Sequence, residues 1–74
     1  MKGQYFIPQV GHIYRNRNGQ QYLCLKVELK MPRSDTVVLF RRISDGWTLQ
    51  AHGPIRYGDN TIEWNYSTGG HWSK

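Results

Sequence analysis

Short alternating runs of apolar and polar residues follow one another along this chain, and turn-forming residues separate them about every eight to twelve positions. No segment carries apolar residues at the i, i+3, i+4 and i+7 spacing of an amphipathic helix over two turns. Alternation with a period of two residues is typical of strands, and turns at this spacing are typical of all-β domains. The pattern therefore predicts an all-β fold.

The predicted strands lie between recognisable turns. Asn18-Gly19 predicts a tight hairpin because both residues tolerate positive φ, and Gly53-Pro54 is expected to end a strand because Pro cannot donate to a ladder. In the second run, the expected core face carries Leu23, Leu25, Val27 and Leu29. Tyr22 and Cys24 share the opposite face near its start, so that end could be covered on both sides. The predicted strands are 10–16, 20–29, 36–43, 47–51, 55–57 and 61–66, with further turns at Ser44-Asp45-Gly46 and Gly58-Asp59-Asn60.

The aromatic content decides how these strands are arranged. Three Trp, five Tyr and two Phe can build a compact core, but a single open sheet would leave many of these rings in water. Closure hides the rings and removes exposed edges. We therefore expect a small, five- to six-stranded antiparallel, SH3-like, partly open barrel. It forms one domain over residues 1–74, with an N-terminal arm at 1–9 and a flexible C-terminal tail at 67–74.

Cysteine usage and apolar runs bear on the compartment. Cys24 is the only cysteine, so no intrachain disulfide forms, and a secreted domain of this size usually needs several. The apolar stretch before Pro8 is too short for a signal-peptide core, and Val37-Val38-Leu39-Phe40 is too short to span a bilayer. These features favour a cytoplasmic protein that has no membrane partner.

The charge balance favours a nucleic-acid partner. The net charge is +5 and the isoelectric point is about 9.7. Phosphates attract such cations, and unpaired bases stack on exposed rings, so we expect a small basic β-barrel that binds single-stranded or structured RNA or DNA. The expected binding residues are Arg15, Arg17, Lys26, Arg41, Arg42, Arg56, Tyr14, Tyr57 and Trp72. The same cations could instead keep a small sheet soluble.

Two kinds of chemistry are weighed against binding. His12, His52 and His71, with Glu63 as a substitute base, could act as general acid and base in a small metal-independent ribonuclease. His12 and His52 both lie in alternating runs, where a hydrogen-bonded structural histidine is the common outcome, so we favour a binding protein and predict no enzyme. The same histidines and Cys24 lack the local spacing of a zinc site, so no metal and no small-molecule cofactor is expected.

Several motifs suggest a group of proteins. Four stretches of the chain resemble small proteins carried by phages and mobile elements of Gram-positive bacteria. They are Asp45-Gly46-Trp47-Thr48, Ala51-His52-Gly53, the stretch from Tyr57 to Trp64 and the stretch from Gly11 to Asn16. The resemblance covers most of the chain, although Asp59-Asn60 stands where an Asp-Gly turn is expected. It implies an accessory protein that acts inside a bacterial cell, on a host or defence component.

A host-protein partner is therefore the alternative to nucleic acid. Such a partner would be anchored by an exposed ring, with Trp47 or Trp72 as the expected hot spot. The edge of the last strand could also mediate self-association, so we expect a monomer or a weak homodimer.

Overall fold

The computed structural model describes the backbone of residues 2–72 and the side chains of residues 2–69. The all-β prediction is confirmed. A short 3-10 turn covers Arg33–Asp35, and no helix within residues 2–72 is long and apolar enough to cross a bilayer. The strands are β1 (Gln4–Tyr5), β2 (Ile13–Asn16), β3 (Gln21–Glu28), β4 (Val37–Arg42), β5 (Trp47–Arg56) and β6 (Thr61–Trp72).

The strands form a closed barrel. Antiparallel pairing links β2 to β3, β3 to β4, β4 to β5 and β5 to β6, while β6 returns to pair with β2. Strand β1 lies outside this ring and pairs with β5. The barrel prediction is confirmed, but the barrel is closed rather than partly open. It is also mixed rather than wholly antiparallel, because β2 and β6 run parallel at Arg15↔Thr61 and Asn16↔Ile62.

Aromatic rings fill the centre of the barrel. Phe40 is fully buried, and its ring stacks on Trp64 with 5.5 Å between centroids. Tyr14 and Tyr22 meet the Phe40 ring edge-on, at 6.3 Å and 6.0 Å. Such pairs stabilise a core beyond the apolar area they bury. The buried apolar core consists of Tyr22, Cys24, Val38, Phe40, Leu49, Ala51 and Ile62.

The core face of β3 differs from the prediction. Tyr22 and Cys24 point into the core, whereas Leu23 and Leu25 are only half-buried. A β-bulge between Cys24 and Lys26 inserts an extra residue, so the alternation shifts and Val27 packs against the core again. The expectation that Leu23 and Leu25 line the core is therefore wrong, because strand register follows the rings on neighbouring strands.

Gly53-Pro54 is a corner within β5 rather than its end. Before this point β5 pairs with β4, as far as His52↔Val37, and after it β5 pairs with β1. Gly53 adopts a φ of +71°, which bends the strand, and the Pro54 carbonyl still accepts a hydrogen bond from the Phe6 N–H at 3.1 Å. The predicted strand 55–57 is thus the continuation of β5, because the partner strand changes at the bend while β6 continues alongside.

Both ends of the chain carry more strand than expected. The N-terminal arm contains β1, which fixes the arm against β5. Strand β6 continues along β5 through the expected tail, with Ala51↔Ser67 and Gln50↔Thr68 as partners. Residues 67–72 of the expected tail therefore lie within strand β6. Residues 73 and 74 of the expected tail lie outside the described residues.

Candidate nucleic-acid interface

Arg56 is the centre of a basic surface at one end of the barrel. It is the last residue of β5, and its guanidinium lies over the rings of Phe6 and Tyr14, 4.6 Å and 5.9 Å from their centroids. Stacking on aromatic faces orients the planar guanidinium while its N–H edge stays available. Arg56 is exposed, so this edge can donate two parallel hydrogen bonds to a phosphate.

An open groove of about 490 Å³ lies on one side of Arg56, and we call it the basic groove. Three cations from separate elements meet there: Lys2 from the arm, Arg33 from the 3-10 turn and Arg56 from β5. No carboxylate is among the described residues that line it. The lining residues are Lys2, Gln4, Tyr5, Phe6, Arg33, Arg56, Tyr57 and Gly58.

A second groove of about 370 Å³ lies on the other side of Arg56, and we call it the hairpin groove. Arg15 of β2 lines it and adds a fourth cation. Again, the described lining residues include no carboxylate. They are Ile13, Tyr14, Arg15, Gln21, Arg56 and Asn60. Because Arg56 borders both grooves, the two form one surface with a positive potential.

Arg17 and Tyr57, both predicted to bind, make contacts within the protein. The Arg17 guanidinium lies 4.4 Å from the centroid of the Tyr57 ring, donates to Thr61 Oγ1 at 3.2 Å and pairs with Asp59 at 3.8 Å. Hydrogen bonds from Thr61, with Arg17 nearby, lower the pKa of Asp59. Arg17 therefore ties the first hairpin to the turn between β5 and β6.

The Tyr57 hydroxyl is also engaged. It donates to Glu63 Oε2 at 3.0 Å, and this hydrogen bond raises the pKa of Tyr57. With Arg17 on one face of the ring, Tyr57 reaches the basic groove as part of its wall. Glu63, considered above as a catalytic base, is the acceptor that holds this wall in place.

Arg42 stabilises a turn. Its Nε and Nη2 donate to the two carboxylate oxygens of Asp45 at 2.9 Å and 2.6 Å, and the Trp47 N–H donates to the same carboxylate at 3.1 Å. These contacts raise the pKa of Arg42 and lower the pKa of Asp45, with Arg42 as the main cause. Arg42 therefore carries a partner already and lies outside the two grooves.

The remaining predicted residues are dispersed. Lys26 lies on the outer face of β3 beside Glu28, and Arg41 is half-buried on the outer face of β4, opposite Leu23. Tyr14 is half-buried, and its hydroxyl accepts a hydrogen bond from the Gln9 N–H at 2.9 Å, so it supports Arg56 rather than presenting a free ring. The side chain of Trp72 lies outside the described part of the structure.

Lys2 and Phe6 of the basic surface were not considered as binding residues, whereas the loop residue Arg33 was considered among the cations that could neutralise phosphate. They meet Arg56 only because β1 pairs with β5 and the loop before β4 returns to the same end of the barrel. No local sequence pattern reports such an approach. The best sequence signal for this part of the surface is an aromatic residue a few positions from a lysine, as Phe6 is from Lys2.

The histidines lie in different settings. The His12 ring stacks beside Tyr14 with 6.4 Å between centroids, and the His52 ring stacks on Tyr66 on the β5–β6 face. His71 lies opposite Thr48 in the backbone pairing, and its side chain is outside the described part. Among the side chains of residues 2–69, no group of three or more His, Cys, Asp and Glu residues could hold a metal ion.

Comparison with known proteins finds no matching family model, no similar curated protein and no similar solved structure. The resemblance to proteins of phages and mobile elements therefore stays a prediction, as does the SH3-like description of the barrel.

Proposed function

We propose that this protein is a binding module that holds nucleic acid on the basic surface around Arg56. The observation that carries the proposal is the meeting of Lys2, Arg33, Arg56 and Arg15 in two adjoining grooves whose described walls hold no carboxylate. A groove with one sign of charge concentrates counter-ions of the opposite sign, and the sugar–phosphate backbone is such a ligand.

The arrangement of the cations supports phosphate contacts in particular. Arg56 is oriented by two rings before any ligand arrives, so less side-chain entropy is lost when it binds. Lys2, Arg15 and Arg33 are exposed and surround it. Most protein–nucleic acid hydrogen bonds go to the sugar–phosphate backbone of the nucleic acid. We therefore expect binding at this surface to depend little on the nucleotide sequence.

The test is an ionic-strength series. A labelled mixed-sequence single strand is titrated with protein, and fluorescence anisotropy gives the affinity at salt concentrations from about 50 to 200 mM. Four phosphate contacts predict a slope of log affinity against log salt of about −2.8, and Arg56→Ala is expected to reduce its magnitude to about 2.1. Arg33→Ala, on the exposed 3-10 turn, should do the same without touching the rings.

Lys26→Ala is the matched control. It removes the same charge from an exposed strand residue on another face of the barrel, so the slope should stay near that of the wild type. The proposal fails if no strand binds at low salt, or if Lys26→Ala flattens the slope as much as Arg56→Ala does.

A protein partner is the second candidate, favoured by the outer face of β2, β3 and β4. Ile13 is 56% exposed and lies opposite the half-buried Leu23, while Ile43 is 47% exposed beyond β4. Trp47 packs against the core, so this aliphatic face is a better anchor than the predicted Trp47 hot spot. Loss of pull-down by Ile43→Asp, which changes neither groove of the basic surface, with Arg56→Ala unaffected, would favour this candidate.

We also propose a cytoplasmic location. Cys24 is buried within the core as a free thiol, which is compatible with a reducing compartment. Fractionation of cells that produce the protein, with periplasmic and cytosolic markers, tests this location.

A further inference from the structure

A stacked pair of rings stands on the face formed by β5 and β6. His52 and Tyr66 are direct cross-strand partners, and their rings are 4.4 Å apart and within 5° of parallel. The imidazole is also held at its edge, because His52 Nε2 lies 2.9 Å from Thr68 Oγ1. Tyr66 is nevertheless 58% exposed. A tyrosine with one face against an imidazole and this much exposure presents its other face to solvent.

Tyr66 and His52 both line a groove of about 570 Å³, which we call the tyrosine groove. The volume lies in the range of sites that accept small organic ligands, so an aromatic ring system fits. The groove is lined by Tyr5, Lys30, Ser34, Asp35, Val37, His52, Asn65 and Tyr66.

The tyrosine groove adjoins the basic groove. Tyr5 lines both grooves, and its hydroxyl exchanges hydrogen bonds with the Asn65 amide at 3.1 Å and 3.3 Å. A chain molecule that leaves the basic groove past Tyr5 therefore arrives at Tyr66. The two grooves are therefore neighbours on the surface of the barrel.

The charge of the two grooves differs. In the tyrosine groove, Lys30 is paired with Glu28 at 3.3 Å, and Asp35 adds a carboxylate to the wall. A phosphate gains little there, whereas a neutral base can stack and offer its N–H groups to Asp35 or Asn65. The phosphates of a ligand therefore belong to the basic groove and a base to the tyrosine groove.

We infer that the ligand is single-stranded and that one of its unpaired bases stacks on the open face of Tyr66. The inference rests on the proposed function, since the basic surface supplies the phosphate contacts. In a duplex both faces of a base are covered by its neighbours, so a duplex cannot use this ring. A base–aromatic stack is tolerant of sequence, because every base has a π-face.

The experiment compares Tyr66→Leu with Tyr66→Phe. Anisotropy titrations use one labelled mixed-sequence DNA strand, alone and annealed to its complement. Tyr66→Leu should weaken single-strand binding by about 5- to 150-fold, the range for loss of one stacked base, with duplex binding and the salt slope unchanged. Tyr66→Phe keeps the ring and should bind as the wild type does. Circular dichroism confirms that both variants are folded.

The outcomes separate this inference from the proposed function. If Tyr66→Leu leaves single-strand affinity unchanged while Arg56→Ala flattens the salt slope, the stacking inference is wrong and the basic surface still binds. Equal losses for strand and duplex also overturn the inference, because a stacked base would affect the strand alone. If neither form of DNA binds the wild-type protein, the proposed function fails first.

Discussion

Gly53 is the residue whose substitution tests the fold most directly. It has a φ of +71° in the middle of β5, a conformation that L side chains rarely adopt. A Cβ built on Gly53 would lie 2.9 Å from the Ser34 carbonyl oxygen and would overlap the amide of Asn65. The bend in β5 thus brings the 3-10 turn and β6 against a backbone position that has no room for a methyl group.

Two contributions make up the expected effect of Gly53→Ala. The positive φ costs about 1–2 kcal/mol, offset by about 0.4–1 kcal/mol because alanine reduces the entropy of the unfolded chain. Overpacking against Ser34 and Asn65 adds about 1–3 kcal/mol. We expect a total loss of about 1–5 kcal/mol. A chain of this length has a free energy of unfolding of about 4–11 kcal/mol, so the loss is a large share.

Gly11→Ala is the matched control. Gly11 has a φ of +89°, but nothing lies within 4 Å of the position that an alanine methyl group would take there, so only the backbone contribution of about 1 kcal/mol remains. Urea denaturation followed by tryptophan fluorescence gives both values. The double variant Gly53→Ala/Asn65→Ala should regain part of the loss, because the Asn65 contact is removed while the Ser34 carbonyl stays.

If Gly53→Ala lowers the free energy of unfolding no more than Gly11→Ala does, the predicted clash at Gly53 does not occur. That result would mean that the Ser34 carbonyl and Asn65 move away freely, and that the corner in β5 is soft.

Three further predictions concern the core and the titrating groups. Phe40→Ala should cost about 3–5 kcal/mol in urea denaturation, because Phe40 is fully buried among other rings. The lowered pKa of Asp45 stabilises the fold at neutral pH, and this stability is lost as the pH falls below about 4 toward the folded pKa. Thermal melts from pH 7 to 2 should therefore fall less steeply for Asp45→Asn than for the wild type. Burial raises the pKa of Cys24, so mass spectrometry should find alkylation only after unfolding.

The strands and most turns could be predicted because their signals are local. Gly19 has a φ of +91° in the first hairpin, Gly46 has 76° after β4, and Asn60 has 67° before β6, as turn-forming residues allow. The alternating runs became β2, β4 and most of β5 for the same reason. Each of these features depends only on neighbours along the chain.

The predictions that failed concern features that depend on residues far away in the sequence. Tyr22 at the start of β3 packs against the rings of Phe40 and Trp64, so the face expected to be polar turns inward there, and the bulge after Cys24 then returns Val27 to the core. Gly53-Pro54 has the composition of a strand end, but β6 continues past it and keeps the strand intact. Parallel pairing of β2 with β6 has no local signal at all.

The sequence anticipated only some of the cations that line the two grooves. Net charge favoured a phosphate partner, which stays a prediction, and of the expected binding cations Arg15 and Arg56 line the grooves. Charge alone cannot separate a cation that faces a groove from one that already has a carboxylate partner, such as Arg42. That distinction depends on the turn geometry around each residue.

The parallel contact between β2 and β6 joins just two residue pairs, whereas β5 and β6 are paired along most of their length. Local opening of the barrel costs least free energy at this short β2–β6 pairing. The amide protons of this pairing should therefore exchange with solvent earlier than those of the other strand pairs of the barrel. The hydrogen bond from the Arg17 guanidinium to Thr61 Oγ1 crosses this pairing and limits its local opening. Arg15 and Asn60 lie on the two sides of this pairing. A nucleic-acid strand that contacts both residues would keep the barrel closed there and slow the amide exchange.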